Sequence, residues 1–209
     1  KMFRSSPQHT DTYYAATSRE WQVNRPALDE HLSVDVCVVG AGFFGLYCAL
    51  ELARAGKKVA VLDASRVGWG ASGRNGGQMI IGFPCGMQRL KGVMGYERAK
   101  EMFDESRRAV RRIRTLMREE QIDCDLVEGH LEVAVLPRRI GDLTGWIEEC
   151  QHEWFYDKLQ FVDKANMPKY LNSDRYQAGI IDPEGAHIHP LKYVLGLARA
   201  VESQGVRLF

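Results

Sequence analysis

The clearest hydrophobic pattern in the chain is an apolar run that leads through glycines into a helical repeat. Val34–Val39 is rich in β-branched residues and ends at Gly40, which is typical of a buried parallel strand. Phe43–Ala55 then carries apolar residues at helical spacing, and Gly56 follows as a C-terminal glycine. Lys58–Leu62 predicts a second strand. The order strand, helix, strand predicts an α/β fold with a parallel sheet.

The rest of the chain alternates predicted helices and strands. Residues 1–32 are polar with scattered aromatic residues, and we expect an extended arm or short helical turns that pack onto the body. The strand at the very end of the chain predicts that the full protein is longer. In chain order, the further predictions are a glycine-rich loop at Gly68–Gly86, a long helix at Tyr96–Glu120, a β-hairpin of Cys124–Val127 and His130–Leu136, a helix at Arg139–Tyr156, a strand at Leu159–Val162, a helix around Lys164–Leu171, a strand at Gln177–Ile181, a helix at Pro190–Gln204 and a strand at Val206–Phe209.

Composition excludes one class of protein, and the net charge argues against a global attraction to nucleic acid while leaving a local basic patch possible. Apolar residues make up 45% and charged residues 26% of the 209, which excludes a chain that is mainly disordered. The net charge of +1 gives no global attraction to nucleic acid or anionic membrane. We interpret the basic face of the predicted long helix as a solvated face whose charge is partly balanced by acidic neighbours. The basic residues on this face are Arg107, Arg108, Arg111, Arg112, Arg114 and Arg118.

Cysteine usage and hydropathy predict a cytoplasmic protein. The five cysteines are widely spaced and form no CxxC pair, which is typical of reduced thiols. The longest uncharged stretch, Val36–Leu50, is shorter than the roughly 18 residues that a membrane-spanning helix needs. The first 18 residues lack the apolar run of a signal peptide. We therefore expect neither a membrane segment nor export.

The first strand and helix enclose a GxGxxG motif in the context that dinucleotide binding requires. Gly40 permits the tight turn, Gly42 lets the backbone approach a pyrophosphate, and Gly45 allows the helix and strand to pack closely. The helix N-terminus offers free N–H groups and a positive dipole to the phosphates. Asp63 ends the second strand, where its carboxylate is expected to bind an adenosine ribose and to repel the 2'-phosphate of NADP.

A second motif, Gly70–Gln78, reads GASGRNGGQ. Glycines this dense let the backbone approach a flat or anionic group. Ser72 is able to hydrogen-bond a phosphate and Arg74 to neutralise one, with a surface ion pair as the alternative for Arg74.

With these motifs the chain resembles the FAD-dependent D-amino-acid-oxidase-type (DAO) oxidoreductases, and among them most nearly the γ-glutamylputrescine oxidoreductases. The resemblance spans essentially the whole chain but only the N-terminal half or so of such an enzyme. It is carried by the arm residues His9, Thr10, Asp11, Tyr13 and Tyr14, by Gly40–Gly45, by Gly70–Gln78, by Glu128–Val135, and by Asp182, Pro183, Gly185, His189 and Pro190.

The fold that we expect is α/β, a Rossmann-like FAD/NAD(P)-binding domain interleaved with part of an α+β substrate domain. The predicted FAD-binding domain is discontinuous and comprises residues 1–122 and 176–209, with the arm at 1–32. Residues 123–175 are predicted to form part of the substrate domain, and the C-terminal half of the enzyme is absent from the chain.

The resemblance implies that FAD is the cofactor, and it implies the residues that bind it. Some relatives attach the flavin through a His or Cys in or near this loop. Arg74–Gln78 contains neither, so non-covalent FAD is expected. Catalytic residues are expected downstream of Phe209. Together, the fingerprint and the resemblance give these cofactor-binding residues: Gly40, Gly42, Phe43, Phe44, Gly45, Asp63, Ala64, Ala71, Ser72, Arg74, Asn75, Gly76, Gly77 and Gln78.

The activity that the resemblance implies is oxidation of a small-molecule amine by hydride transfer to the flavin, followed by imine hydrolysis. Molecular oxygen is the expected acceptor, with release of hydrogen peroxide, and no nucleic-acid partner is expected. Two alternatives stay open. One is a tRNA wobble-uridine modification enzyme, for which the basic face of the long helix could serve. The other is a catalytically incomplete flavin-binding fragment.

A pair of histidines near the last helix is the remaining candidate site. His187 and His189 are two residues apart, a spacing found in metal sites, but the sequence offers no third ligand in register. We expect His189 to cap the helix that begins at Pro190, and we predict no metal site. Asp182 followed by Pro183 predicts a turn.

Overall fold

The structure is a computed structural model of the chain, and it describes residues 8–209. The predicted arm therefore falls partly outside the described residues, at 1–7. The elements are helices α1 (Tyr13–Ala16), α2 (Phe43–Arg54), α3 (Met87–Met94), α4 (Tyr96–Glu119), α5 (Ile140–His152) and α6 (Pro190–Ser203), and strands β1 (Val36–Val39), β2 (Val59–Leu62), β3 (Gln78–Met79), β4 (Val127–Ala134), β5 (Gln160–Asp163), β6 (Ala178–His187) and β7 (Arg207–Leu208).

The chain folds into two compact units, each built from separate segments. The first unit comprises Lys1–Gly77, Thr115–Asp125 and Ile188–Phe209, described from residue 8 onward, and the second comprises Gln78–Arg114 and Leu126–His187. These bounds differ from those predicted for the domains: residues 78–114 and 176–187 belong to the second unit, and residues 123–125 belong to the first.

The first unit is built on a parallel three-stranded sheet with the strand order β1-β2-β7. Val36 pairs with Val59 and Val61 with Leu208, so the strands predicted at Lys58–Leu62 and Val206–Phe209 lie in one parallel sheet with the first strand. Helices α2 and α6 contact each other and share one core with the sheet. That core includes Leu46, Leu50, Val61, Leu116, Leu191, Val194, Leu197 and Val201. The predicted strand–helix–strand order and the C-terminal helix are confirmed.

The described part of the arm packs onto this core. Thr12 caps α1, since its side chain accepts a hydrogen bond from the Ala15 N–H. Tyr14, Ala15 and Trp21 are partly buried against the core of the first unit. The expected short helical turns are confirmed within the described residues.

The second unit is an antiparallel sheet covered by helices. β6 pairs with β3, β4 and β5. The α4 residues up to Arg114 belong to this unit and pack with α5 on a buried aromatic cluster. In that cluster the ring of Trp154 lies 5.8 Å from those of both Tyr96 and Phe103, measured between centroids.

The predicted hairpin of Cys124–Val127 and His130–Leu136 is wrong. Glu128 and Gly129 do not form a turn, because Val127–Ala134 is one strand whose partner is β6. The register shifts between Glu128 and His130, where Gly129, with φ +90°, lies opposite three residues of β6, Pro183–Gly185, so the bulge is on β6. The turn predicted at Asp182–Pro183 is also wrong, because β6 runs through it. Pro183 lies within this bulge, where a missing N–H is tolerated.

Two predicted helices are shorter than expected, and one helix was missed. The predicted helix Arg139–Tyr156 ends at His152, because Phe155 takes a positive φ of 53° and turns the chain back. The helix predicted around Lys164–Leu171 is only a 3-10 turn at Met167–Lys169. Helix α3 was not predicted. Within residues 8–209, no helix combines the length and apolar character that a membrane crossing requires.

Candidate cofactor site

The fingerprint turn has the geometry that its glycines require. Gly40 adopts φ +107°, and its N–H donates to the Leu62 carbonyl at 2.7 Å, which joins the ends of β1 and β2. Gly42 is the N-cap of α2. A Cβ on Gly45 would overlap the Gly40 carbonyl oxygen and lie 3.2 Å from the Val38 side chain. Only glycine at position 45 lets the helix start this close to the strand.

The Asp63 carboxylate is held at the end of β2 by two backbone donors. Its Oδ2 accepts from the Ala41 N–H and its Oδ1 from the Ser65 N–H, both at 2.8 Å. The Ala41 carbonyl in turn accepts from the Gly68 N–H at 2.9 Å. These bonds connect the fingerprint turn to the loop after β2. The carboxylate is thereby fixed beside the turn, as a ribose-binding acid would be.

A cavity of about 340 Å³ opens beside this carboxylate within the first unit. Sequence reasoning missed most of its lining. Arg66, only three residues after Asp63, could have been found from the motif, whereas the arm residues could not, since no local pattern brings them here. The lining residues are Val23, Asn24, Arg25, Ala41, Asp63, Ser65, Arg66, Val67, Leu208 and Phe209.

Ser72 connects the glycine-rich loop to the start of α2. Its Oγ accepts a hydrogen bond from the Phe43 N–H at 2.9 Å, so it satisfies one of the free donors of the helix N-terminus. A Cβ on Gly42 would lie 2.8 Å from that oxygen. The loop and the fingerprint therefore share one small space, in which a phosphate would meet N–H donors and a hydroxyl.

Asn75 stabilises the loop from inside. Its amide nitrogen donates to the carbonyls of Ala71 and Ser72 at 3.0 and 3.1 Å, and its Oδ1 accepts from the Gly77 N–H at 2.8 Å. Gly77 has φ +71°, and a Cβ there would overlap the Ile188 carbonyl oxygen. Asn75 thus shapes the loop.

The other predicted cofactor residues lie at different places. The Arg74 guanidinium donates to Thr10 at 3.2 Å and lies 4.5 Å from the Trp69 ring centroid, so it contacts the arm. The neighbouring Phe43 packs beside Tyr193, at 5.5 Å between ring centroids. Gln78 lies in β3 of the second unit. Three more are exposed: Phe44, Ala64 and Gly76.

His189 is a buried residue that caps the N-terminus of α6. Its Nδ1 accepts from the Lys192 N–H at 3.1 Å, which confirms the predicted cap of α6, and its Nε2 lies 2.9 Å from Thr17 Oγ1. Burial lowers the pKa of His189, with Asp125 opposing and Lys192 adding to that effect. Among residues 8–209 no group of three potential ligands is placed to hold a metal, and His187 is exposed.

The residues present fit FAD. A carboxylate is fixed at the end of β2, and the start of α2 presents backbone donors. The surroundings of positions 42 and 45 leave no space for a side chain, so glycine is required at both. This donor set suits a ribose and a pyrophosphate.

Comparisons with known proteins agree with this geometry. Residues 35–209 match the family described as FAD dependent oxidoreductase. The chain is 40% identical over 202 residues to a Haemophilus influenzae protein named "Probable oxidoreductase OrdL", covering 97% of this chain and 47% of that protein. It is 37% identical over 205 residues to the gamma-glutamylputrescine oxidoreductase of Escherichia coli, with the same coverage. The chain thus spans about half the length of these relatives.

A solved structure shows the same fold. The L-amino acid deaminase from Proteus vulgaris superposes with a TM-score of 0.72 at 21% identity, over 90% of this chain and 42% of that one. The predicted fold class and FAD as cofactor are confirmed by these matches. The chain therefore belongs to the FAD dependent oxidoreductase family, as its fingerprint and glycine-rich loop predicted.

Proposed function

We propose that the full-length protein uses FAD to oxidise a linear amine that carries a distal carboxylate, γ-glutamylputrescine or a close analogue. The observation that carries the proposal is the arrangement of Gly42, Asp63 and Ser72 around the start of α2. This arrangement occurs in a chain that is 37% identical to a gamma-glutamylputrescine oxidoreductase.

The chain's own residues would bind and orient the cofactor. The N–H groups and dipole of α2 would hold the pyrophosphate, and the Asp63 carboxylate would accept hydrogen bonds from the ribose. Asn75 keeps the loop in shape beside them. When bound, FAD supplies a two-electron acceptor for the hydride that leaves the carbon next to the amine nitrogen. Water would hydrolyse the imine product, and molecular oxygen is the proposed final acceptor, giving hydrogen peroxide.

We propose that FAD is bound without a covalent link, because Arg74–Gln78 contains no His or Cys. Acid precipitation of the purified full-length protein should leave the flavin in the supernatant. Flavin that stays with the precipitated polypeptide would contradict this assignment.

We further assign the first unit to FAD binding and the second to the substrate domain, and we place the protein in the cytoplasm. The fingerprint, Asp63 and Ser72 all lie in the first unit. The location is supported by the cysteines at 37, 48, 85, 124 and 150, which are all free thiols, as in a reducing compartment.

The basic face of α4 gives little support to the RNA alternative. Arg108 pairs with Glu105 at 2.5 Å and Arg114 with Glu128 at 2.6 Å, so acidic neighbours balance these charges. Nucleic-acid binding depends on cations that are available to phosphates. This pairing favours the amine over an RNA substrate.

The deciding experiment is an amine screen on full-length protein. The flavin spectrum is recorded first, and peroxide release is then followed with γ-glutamylputrescine, putrescine, glycine and sarcosine. We expect γ-glutamylputrescine to give the highest kcat/KM, since remote binding energy orients the reacting carbon. A higher value for glycine or sarcosine would refute the linear-amine assignment. Turnover of an aminomethylated uridine in tRNA, without amine oxidation, would replace it with the RNA function. A flavin-loaded protein without any turnover would indicate a catalytically incomplete protein.

A further inference from the structure

Helix α4 and the bulge of β6 line a cavity that the proposed flavin chemistry does not use. This α4 cavity has a volume of about 370 Å³, which lies within the range of small-molecule sites. All of its lining residues belong to the second unit, and three of them are cations against two carboxylates. They are Ile81, Arg107, Val110, Arg111, Arg114, Glu128, Pro183 and Glu184.

Arg114 is occupied by contacts that hold the fold together. Its guanidinium donates to the Glu128 carboxylate at 2.6 Å and to the carbonyls of Glu184 and Gly185 at 2.8 and 3.2 Å. Those two carbonyls belong to the bulge of β6, so Arg114 fixes the bulge against α4. Arg114 therefore shapes the cavity and neutralises Glu128.

Arg107 and Arg111 are satisfied much less well. Their Nη2 atoms both face one carboxylate oxygen, Glu184 Oε2, at 4.0 and 3.8 Å, which is too long for a hydrogen bond. The Nε of Arg107 is buried and has no hydrogen-bond partner among residues 8–209. The other carboxylate near Arg107, that of Asp104, lies 3.8 Å away and is bonded to Lys100 at 2.5 Å. The two guanidiniums thus share one carboxylate, and one positive charge is left for an anion.

The charges and the wall of the cavity together select a class of ligand. One uncompensated positive charge matches a monoanion, and the planar fork of a guanidinium matches a carboxylate. Ile81, Val110 and Pro183 form an apolar wall in the same cavity, which suits a short hydrocarbon chain. Inorganic phosphate would leave that wall without a contact. The cavity therefore fits a carboxylate with an aliphatic tail better than it fits a bare oxyanion.

We propose that the α4 cavity is a binding site for a short aliphatic carboxylic acid, whose carboxylate is held between Arg107 and Arg111. The bound carboxylate accepts the hydrogen bonds that Glu184 is too distant to accept, while the aliphatic tail lies against the apolar wall. The site does not rest on the proposed amine oxidation, because it is built from the second unit alone.

The test is a ligand-observed NMR titration of FAD-loaded full-length protein with hexanoate. Hexanol serves as the neutral analogue, and inorganic phosphate as an anion without an apolar tail. Arg111→Gln removes one of the two cations. Arg108→Gln is the matched control, because both side chains are more than half exposed on α4, but Arg108 pairs with Glu105 and does not line the cavity. Glu184→Gln removes the carboxylate that competes with the ligand.

We expect hexanoate binding to weaken about threefold or more in Arg111→Gln and to stay unchanged in Arg108→Gln. Glu184→Gln should strengthen it. In the parent protein hexanoate should bind more tightly than hexanol, which lacks the charge, and more tightly than phosphate, which lacks the tail. The flavin spectrum, recorded on the same samples, should be the same in the parent and in Arg111→Gln.

Three results would overturn the proposal. The first is an absence of hexanoate binding by the parent, and the second is equal affinity of Arg111→Gln and Arg108→Gln. Hexanoate that perturbs the flavin spectrum and is insensitive to Arg111→Gln would place the acid at the flavin site instead. The third is tighter binding of phosphate than of hexanoate, which would make the cavity a site for a bare oxyanion.

Discussion

The Oδ2 atom of Asp63 accepts a 2.8 Å hydrogen bond from the Ala41 N–H, so the acid at the end of β2 is bonded directly to the fingerprint turn. A carboxylate oxygen has more than one lone pair, and Oδ2 can accept a ribose hydroxyl while keeping this bond. The same side chain therefore shapes the turn and is available to the cofactor.

Replacing Asp63 tests this double role. Asp63→Ala should weaken FAD binding by about 1 to 3 kcal/mol, because it removes a charged acceptor. The measurement is the Kd of FAD for apoprotein prepared from the full-length enzyme. Asp35→Ala is the matched control, since Asp35 Oδ2 accepts from the Lys58 N–H at 2.8 Å at the opposite end of the same strands. An equal loss of FAD affinity in both variants would mean that Asp63 acts only through the fold.

Gly45 should tolerate no side chain. Gly45→Ala places a Cβ against the Gly40 carbonyl, and we expect a loss of about 1 to 3 kcal/mol in the free energy of unfolding, together with flavin loss. Gly92→Ala is the control, because Gly92 also lies in a helix but has open space around it, so alanine there should be neutral or stabilising. Urea denaturation and the ratio of flavin to protein absorbance measure both effects. Normal flavin content in Gly45→Ala would contradict the fingerprint geometry.

The buried cap His189 predicts a pH dependence of stability. Burial lowers its pKa from the ordinary value of 6.5, so the unfolded chain takes up this proton first as the pH falls. The free energy of unfolding should therefore decrease below about pH 6.5 and level off once the folded state is also protonated. His189→Asn keeps a capping side chain but does not titrate.

Urea denaturation at pH 7.5 and 5.5 measures this effect. The parent protein should lose more stability between the two values than His189→Asn does. His9 also has a pKa lowered by burial and acts in the same direction, but it is present in both proteins and cancels in the comparison. Identical pH dependence of parent and variant would show that His189 does not contribute.

Thiol reactivity should divide the cysteines by burial. Burial raises the pKa of Cys124 to about 12 and also raises that of Cys150, so neither forms the reactive thiolate at neutral pH. Cys85 is exposed. Titration of full-length protein with an aromatic disulfide reagent should modify Cys85 before unfolding, and Cys124 and Cys150 only after it. Early modification of either buried thiol, located by peptide mass spectrometry, would contradict the packing.

The sequence predicted best those elements whose structure is determined by residues within a few positions of each other. Gly40, Gly42 and Gly45 each solve a steric problem within a few residues, and Pro190 with His189 marks a helix start. The same holds for α4, whose apolar repeat alone defines its length. Such elements are determined by residues that are close together in the chain, so a single sequence is enough to predict them.

The errors arise where a distant strand decides the local structure. Gly129 suits both a hairpin turn and a strand position opposite a β-bulge, and only the pairing of β4 with β6 selects the second. Pro183 is normally excluded from a strand, but the same bulge accommodates it. The cavity beside Asp63 depends on arm residues about 40 positions earlier, such as Asn24, so its lining was beyond local patterns.

The position of α6 in the core of the first unit has a consequence for synthesis. Leu191, Val194, Leu197 and Val201 complete a core whose other half, on α2 and β2, is made well over a hundred residues earlier. During translation the β1–α2–β2 segment therefore emerges with an apolar face that has no cover until α6 leaves the ribosome. Contacts of such long sequence separation form slowly, and an exposed apolar face is prone to aggregation meanwhile. We expect nascent chains arrested before residue 188 to require a chaperone that shields this face.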